Sequence, residues 1–281
     1  MTEALVNPEM LRWARERVGL PPADLARALR VSEERVLAWE RGERRPTFRQ
    51  AERWAARTHV PFGYLYLDIP PEPELPIPDL RRMADGSEEP LSADFFDLLH
   101  DVLYRHAWYR EYLEEIGAPE PDFVGLADRG TPVEDVAGLI RERTGLVHLG
   151  RGRDDTKLRA WFRACEDAGI WIMRTGHVGS NTRRRLRVTE FRGFAIADRR
   201  APLVFINSRD VIPAQFFTLA HELAHIWLGV SGISNPPVNS RRQPALKIER
   251  LCNRIAAEVL APAEEFRMAW QRGLSLEENV A

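Results

Sequence analysis

At 281 residues, with 44% hydrophobic content and a formal net charge of −2 at pH 7, the chain is long enough for two globular domains and too evenly balanced for a charged tail or a scaffold. It holds no apolar run of about 18 residues and no basic-then-apolar leader, so a soluble, cytoplasmic protein without a membrane partner is expected. Its two cysteines, Cys165 and Cys252, stand far apart and in no metal-binding spacing, which argues against a structural disulfide.

Four or five short helices are predicted near the N-terminus, over 10–18, 23–29, 32–41, 47–57 and 62–67. Ser32 is the expected N-cap of the third, Gly42 its C-terminal stop, and Pro46 and Pro61 punctuate the rest. The run 24–29 (DLARAL), Val31-Ser32, Trp39-Glu40-Arg41-Gly42 and Pro46-Thr47 together resemble the Xre (Cro/cI-like) helix-turn-helix domain. That likeness implies an all-α bundle with Leu25, Leu29, Val31, Val36 and Trp39 in its core. DNA binding is a separate question, because a recognition helix needs base-reading side chains at its N-terminal end and positive charge beside them. Here that end carries Glu33 and Glu34, Ala38 follows, and the second helix opens on Pro21-Pro22 with no side-chain donor. Residues 1–68 hold 12 Arg against 10 Asp plus Glu, a weak positive balance. Arg35, Arg41, Arg44 and Arg45 are the candidate phosphate contacts; the alternative is a bundle kept for protein contacts or for a homodimer.

Residues 69–78 contain five prolines in ten residues and should form an extended, semi-rigid spacer. The expected organisation is a helix-turn-helix domain over 1–68, a Pro-rich linker over 69–80, a helical connector over 81–130 and a second domain over 131–281. A long helix is predicted over 95–116, with Leu98, Val102, Tyr109 and Leu113 packing inward, and further helices over 133–144 and 157–168. Strands are expected over 170–174, 187–197 and 202–207, so the whole is α+β with a small sheet. The basic run 183–187 reads as a solvated hairpin.

The most informative stretch is His221-Glu222-Leu223-Ala224-His225, in a helix predicted to begin near 215 and to end near Gly229. Two histidines four apart stack on one helical face and can hold one Zn²⁺, with Glu222 on the adjacent face placed to reach a water there. A third ligand is expected from the helix over 245–260, whose core stripe is read as Leu246, Leu251, Ile255 and Val259. Glu249 and Glu258 compete for that place, and nine residues, roughly two and a half turns, set them on opposite sides. Glu249 is preferred because Asn253, one turn on, can fix a ligating imidazole. A His₂Glu set leaves one coordination position to water, as in a catalytic site.

The blocks 191–198 (FRGFAIAD), 202–208 (PLVFINS), 216–229 (FFTLAHELAHIWLG) and 249–262 (ERLCNRIAAEVLAP) resemble, in order and spacing, the ImmA/IrrE metallopeptidases. The resemblance implies a zincin-like domain with His221, His225 and Glu249 on zinc, Glu222 as general base, and a protein substrate, a transcriptional repressor. The family often has Glu-Ala before the Asn where this chain has Leu251-Cys252. His177, in a Gly-flanked turn, is a candidate oxyanion partner on chemical grounds alone; His59, His100, His106 and His148 are assigned no role. Ser275 to the end reads as the first turn of a further helix, which family members continue. Two other functions stay open: a DNA-binding regulator or antitoxin-like protein whose zincin domain senses or scaffolds, and an interaction module without metal.

Overall fold

Each of the four N-terminal helices starts where the sequence supplies a cap or a proline. α1 (Pro8–Arg17) has Pro8 at its first position and the Asn7 side chain accepting from the Glu9 N–H, α2 (Pro22–Leu29) starts on proline, and α3 (Glu33–Glu40) is capped by Ser32. α4 (Phe48–Thr58) follows Thr47, whose N–H donates to Gln50. A 3₁₀ turn, Phe62–Tyr66, closes the set. The coordinates are a computed structural model that describes residues 2–71, 75–81, 91–146, 153–234 and 247–269. They divide into two compact units, Met1–Glu74 with Leu91–Asp97, and Leu75–Pro90 with Leu98–Ala281.

The first unit is held by Leu11, Leu25, Leu29, Val36, Trp39 and Trp54, with Val31 half-buried at the margin. Trp39 and Trp54 meet at 6.1 Å, and the Trp54 indole donates to Leu11 O. Beneath them lies an ion pair between Arg15 of α1 and Glu40 of α3, joined by two hydrogen bonds of 2.6 and 2.9 Å. Both residues are under 10% exposed.

The second unit is α+β. Its helices are α5 (Ala93–Glu115), which belongs to it from Leu98 onward, α6 (Val133–Arg143), α7 (Asp154–Asp167), α8 (Ile212–Trp227), α9 (Lys247–Leu260) and α10 (Ala263–Ala269). Its strands are β1 (Trp171–Thr175), β2 (His177–Val178), β3 (Asn181–Arg185), β4 (Gly193–Ile196), β5 (Leu203–Asn207) and β6 (Gly232–Ser234). The main sheet has the order β1-β5-β4-β6, with β1 parallel to β5 and β4 antiparallel to both of its neighbours. Ala195, Val204 and Ile206 join the core cluster that contains α8 and α9, whereas Phe194 and Phe205, on alternate positions, stack at 4.8 Å. His106 is a satisfied core histidine, its Nε2 donating to Ala201 O at 2.8 Å.

Several expectations change in detail. The strand expected over 187–197 is confined to Gly193–Ile196, and most of the basic run lies in β3, paired with β2. In α5, Leu98 and Val102 are buried while Tyr109 and Leu113 are half-buried. The end of the proline-rich segment is not a free spacer: Pro78 O accepts from the Ile233 N–H, and the Leu80 N–H donates to Ile233 O. Leu80 lies over Gly232, where a Cβ would come within 2.2 Å of it. His148, Leu246 and residues 275–281 lie outside the described residues.

Removing one partner of a buried ion pair leaves the other charge desolvated and alone, at a cost of about 3–5 kcal/mol. Glu40→Ala should lower the unfolding free energy of the first unit by that amount, seen as a lower urea midpoint with an unchanged slope; a loss under about 1 kcal/mol would contradict the role given to this pair.

Candidate metal centre

α8 is the central helix of its unit because it is apolar on every side: all residues from Thr218 to Trp227 are buried, the motif residues among them. It ends at Gly229, which takes φ +65° and whose own Cβ position would lie 3.1 Å from Gly125 Cα, so the position needs glycine for backbone and space alike. α9 lays an amphipathic face against it. The buried stripe there is Ile248, Cys252, Ile255, Ala256 and Val259, and Leu251 is only half-buried, which corrects the stripe read from the sequence. Cys252 and Ala256 stand about one and two turns on from Glu249 along this stripe. Glu249 sits on this same face and is carried into the interior beside the histidines.

His221, His225 and Glu249 converge. The two Nε2 atoms are 3.1 Å apart, Glu249 Oε2 is 3.3 Å from His221 Nε2, and Glu249 Oε1 is 3.0 Å from His225 Nε2. Asn253 Oδ1 lies 2.9 Å from His221 Nδ1, and since an amide oxygen only accepts, that nitrogen carries the proton and Nε2 presents its lone pair inward. A tetrahedral ion the size of zinc, with ligands at about 2.0–2.1 Å, spaces its donor atoms about 3.3 Å apart. The three groups are therefore spaced as the ligands of one divalent cation, and among the described residues they are the one such cluster.

Electrostatics point the same way. In the cation-free site burial pushes the Glu249 carboxyl up, but the charge and hydrogen bond of a protonated His221, with a hydrogen bond from His225, bring it down to about 2, so it stays ionised and positive charge is what its surroundings favour. Burial lowers the pKa of His225 against the pull of Glu249, favouring the neutral imidazole that a metal requires. Burial, and after it the charge of Glu249, pushes Glu222 well above the usual carboxylate range, with Ser234 opposing. Both Glu222 oxygens are buried without a hydrogen-bond partner among the described residues.

Glu258 is placed elsewhere, its carboxylate accepting from the Ala263 N–H at the start of α10. His177 lies in β2 with its N–H bonded to Thr175 Oγ1, outside the cluster. Cys165 and Cys252 are buried and free, and burial raises both thiols. In the first unit Arg35, Arg41, Arg44 and Arg45 are all exposed, but Arg41 is already engaged by Glu43 through bonds of 2.6 and 2.9 Å. Two residues of the site escaped the sequence. A Cβ on Gly193 would lie 2.7 Å from Thr218 Cγ2, 2.8 Å from Phe205 O and 3.0 Å from Glu222 Oε1. Ser234 Oγ, fully buried, stands 3.3 Å from His225 Nε2. A lone glycine in a strand and a serine after Gly-Ile carry no pattern that marks them.

Residues 165–281 match the family Peptidase_M78, described as the IrrE N-terminal-like domain, and residues 11–65 match the family HTH_3, described as helix-turn-helix. No curated protein and no solved structure matches the chain.

Two substitutions probe the geometry. Asn253→Ala should weaken divalent-cation affinity about 10- to 100-fold in competition with a chromophoric chelator, and an unchanged affinity would remove Asn253 from the site. Gly193→Ala should cost about 2 kcal/mol or more in thermal unfolding, because neither Phe205 O nor α8 can retreat freely; wild-type stability would show that the approach is slack.

Proposed function

Joining a helix-turn-helix domain to an IrrE N-terminal-like domain, the chain has the ImmA/IrrE architecture, and from that premise we propose that it is a zinc-dependent endopeptidase acting on a regulatory protein. The observation that carries this reading is the convergence of two imidazole nitrogens and an ionised carboxylate within 3.3 Å of one another. In this reading His221, His225 and Glu249 hold the zinc and Asn253 orients His221. When bound, zinc supplies a Lewis acid that lowers the pKa of water toward about 7 and polarises a peptide carbonyl. Ionised Glu222 would take the proton of the attacking water and hand it to the leaving nitrogen, and burial, by raising its proton affinity, makes it a stronger base for that shuttle than an exposed carboxylate. The substrate proposed is a transcriptional repressor, in line with the resemblance of the four sequence blocks to the ImmA/IrrE metallopeptidases.

The helix-turn-helix domain gives the protein a DNA partner in the same reading, with two copies on two half-sites of an operator in the cytoplasm. Among the described residues no helix is long and apolar enough to cross a membrane. A second reading, a DNA-binding regulator whose peptidase-like domain senses or scaffolds, is favoured by the match over 11–65.

Glu222→Gln separates the two. The proposed peptidase retains stoichiometric zinc in this variant and loses cleavage of a co-encoded repressor; cleavage that persists, or a wild-type chain that takes up no zinc, would contradict it. In gel retardation, Arg44→Ala with Arg45→Ala should weaken DNA binding and flatten its salt dependence, whereas Arg41→Ala, which removes an arginine already engaged by Glu43, should do less. Equal effects from all three would show that the Glu43 pair does not matter for DNA.

A further inference from the structure

β4 and β6 are antiparallel neighbours, with Gly193 directly opposite Ser234. Cross-strand partners project from the same face of a sheet, so the hydroxyl of Ser234 leaves the face on which a Cβ at Gly193 would meet Glu222. Ser234 is fully buried, and its Oγ lies 3.3 Å from His225 Nε2. Once a cation binds that nitrogen it is closed to the hydroxyl, and a buried hydroxyl without a partner is costly. The neighbouring acceptor with vacant lone pairs is the Glu222 carboxylate, both of whose oxygens are buried and unpartnered among the described residues.

We propose that Ser234 is the positioning residue for Glu222: its hydroxyl donates to one carboxylate oxygen, fixes the side chain across Gly193, and leaves the second oxygen to take the proton from water. This rests on the peptidase reading above and extends it to a residue outside the His-Glu-x-x-His motif and the third ligand. The side chain at 234 acts through Glu222 and touches neither the scissile bond nor the ion.

The test measures binding of acetohydroxamate to the zinc-loaded full chain by calorimetry, since a hydroxamate sheds a proton on chelation and needs the base to receive it. Ser234→Ala should weaken binding at least about tenfold, the loss expected for a hydrogen bond to a charged group. Ser234→Thr should keep the affinity, and so should Thr218→Val, which removes the other buried hydroxyl beside Gly193. In a Glu222→Gln background Ser234→Ala should change affinity less than about twofold, because the two residues form one coupled unit. Zinc content and melting temperature of Ser234→Ala should match the wild type. Unchanged affinity in Ser234→Ala, an equal loss in the Glu222→Gln background, or loss of zinc from Ser234→Ala would each overturn the proposal while the metal site stood. Wild-type zinc-loaded protein that fails to bind acetohydroxamate would instead overturn the peptidase reading, and this inference with it.

Discussion

Two imidazole nitrogens and a carboxylate, all under 3% exposed, are pressed to within 3.3 Å of one another. Without a cation these groups can be satisfied only by sharing protons among themselves, and desolvating such groups is expensive. The fold bears that cost through rigid packing. α8 is embedded on all sides, α9 packs along it with the buried stripe that carries Glu249, and Gly193 lets β4 come against the same helix. A divalent ion that binds only the folded chain would return stability by mass action, so metal binding and folding of the second unit are one equilibrium.

The surrounding elements have clear roles relative to this point. β5, buried along its whole length, and β4 form the platform on which α8 lies, and Gly229 turns the chain from α8 into β6, which brings Ser234 back beside His225. The segment around Leu80 covers the outer edge of β6, so the strand bearing Ser234 is bonded on both sides. A short strand held in this way can place one hydroxyl more accurately than a loop could. Glu222 is the one side chain of the site with both carboxylate oxygens buried and unpartnered among the described residues, the condition that raises its proton affinity.

Much of this was legible because some chemistry is written in spacing. Histidines at i and i+4 have to share a helix face, and nine residues between Glu249 and Glu258 have to put them on opposite sides; the structure places the first beside the histidines and the second at the start of α10. Capping residues likewise marked the N-terminal helices. What stayed hidden depends on partners distant in sequence. The Arg15–Glu40 pair looks like two ordinary surface charges, Gly193 like a weak strand position, and Ser234 like a turn residue, until folding joins α1 to α3 and β4 to β6 and α8. The stripe of α9 was misassigned for a related reason: hydrophobicity favours Leu251, but the face that turns inward is the one carrying Glu249, Cys252 and Ala256. Proline content could not show that the end of the segment it marks is bonded to Ile233.

The central claim is that one ion sits between His221, His225 and Glu249, and X-ray absorption at the zinc edge of the zinc-loaded chain tests it most directly. The account predicts only nitrogen and oxygen neighbours at about 2.0–2.2 Å, with the outer-shell scattering of two imidazoles and loss of that environment in His225→Ala. A sulfur neighbour near about 2.3 Å, which would bring Cys252 into the first shell, or a zinc environment indifferent to His225→Ala, would contradict it.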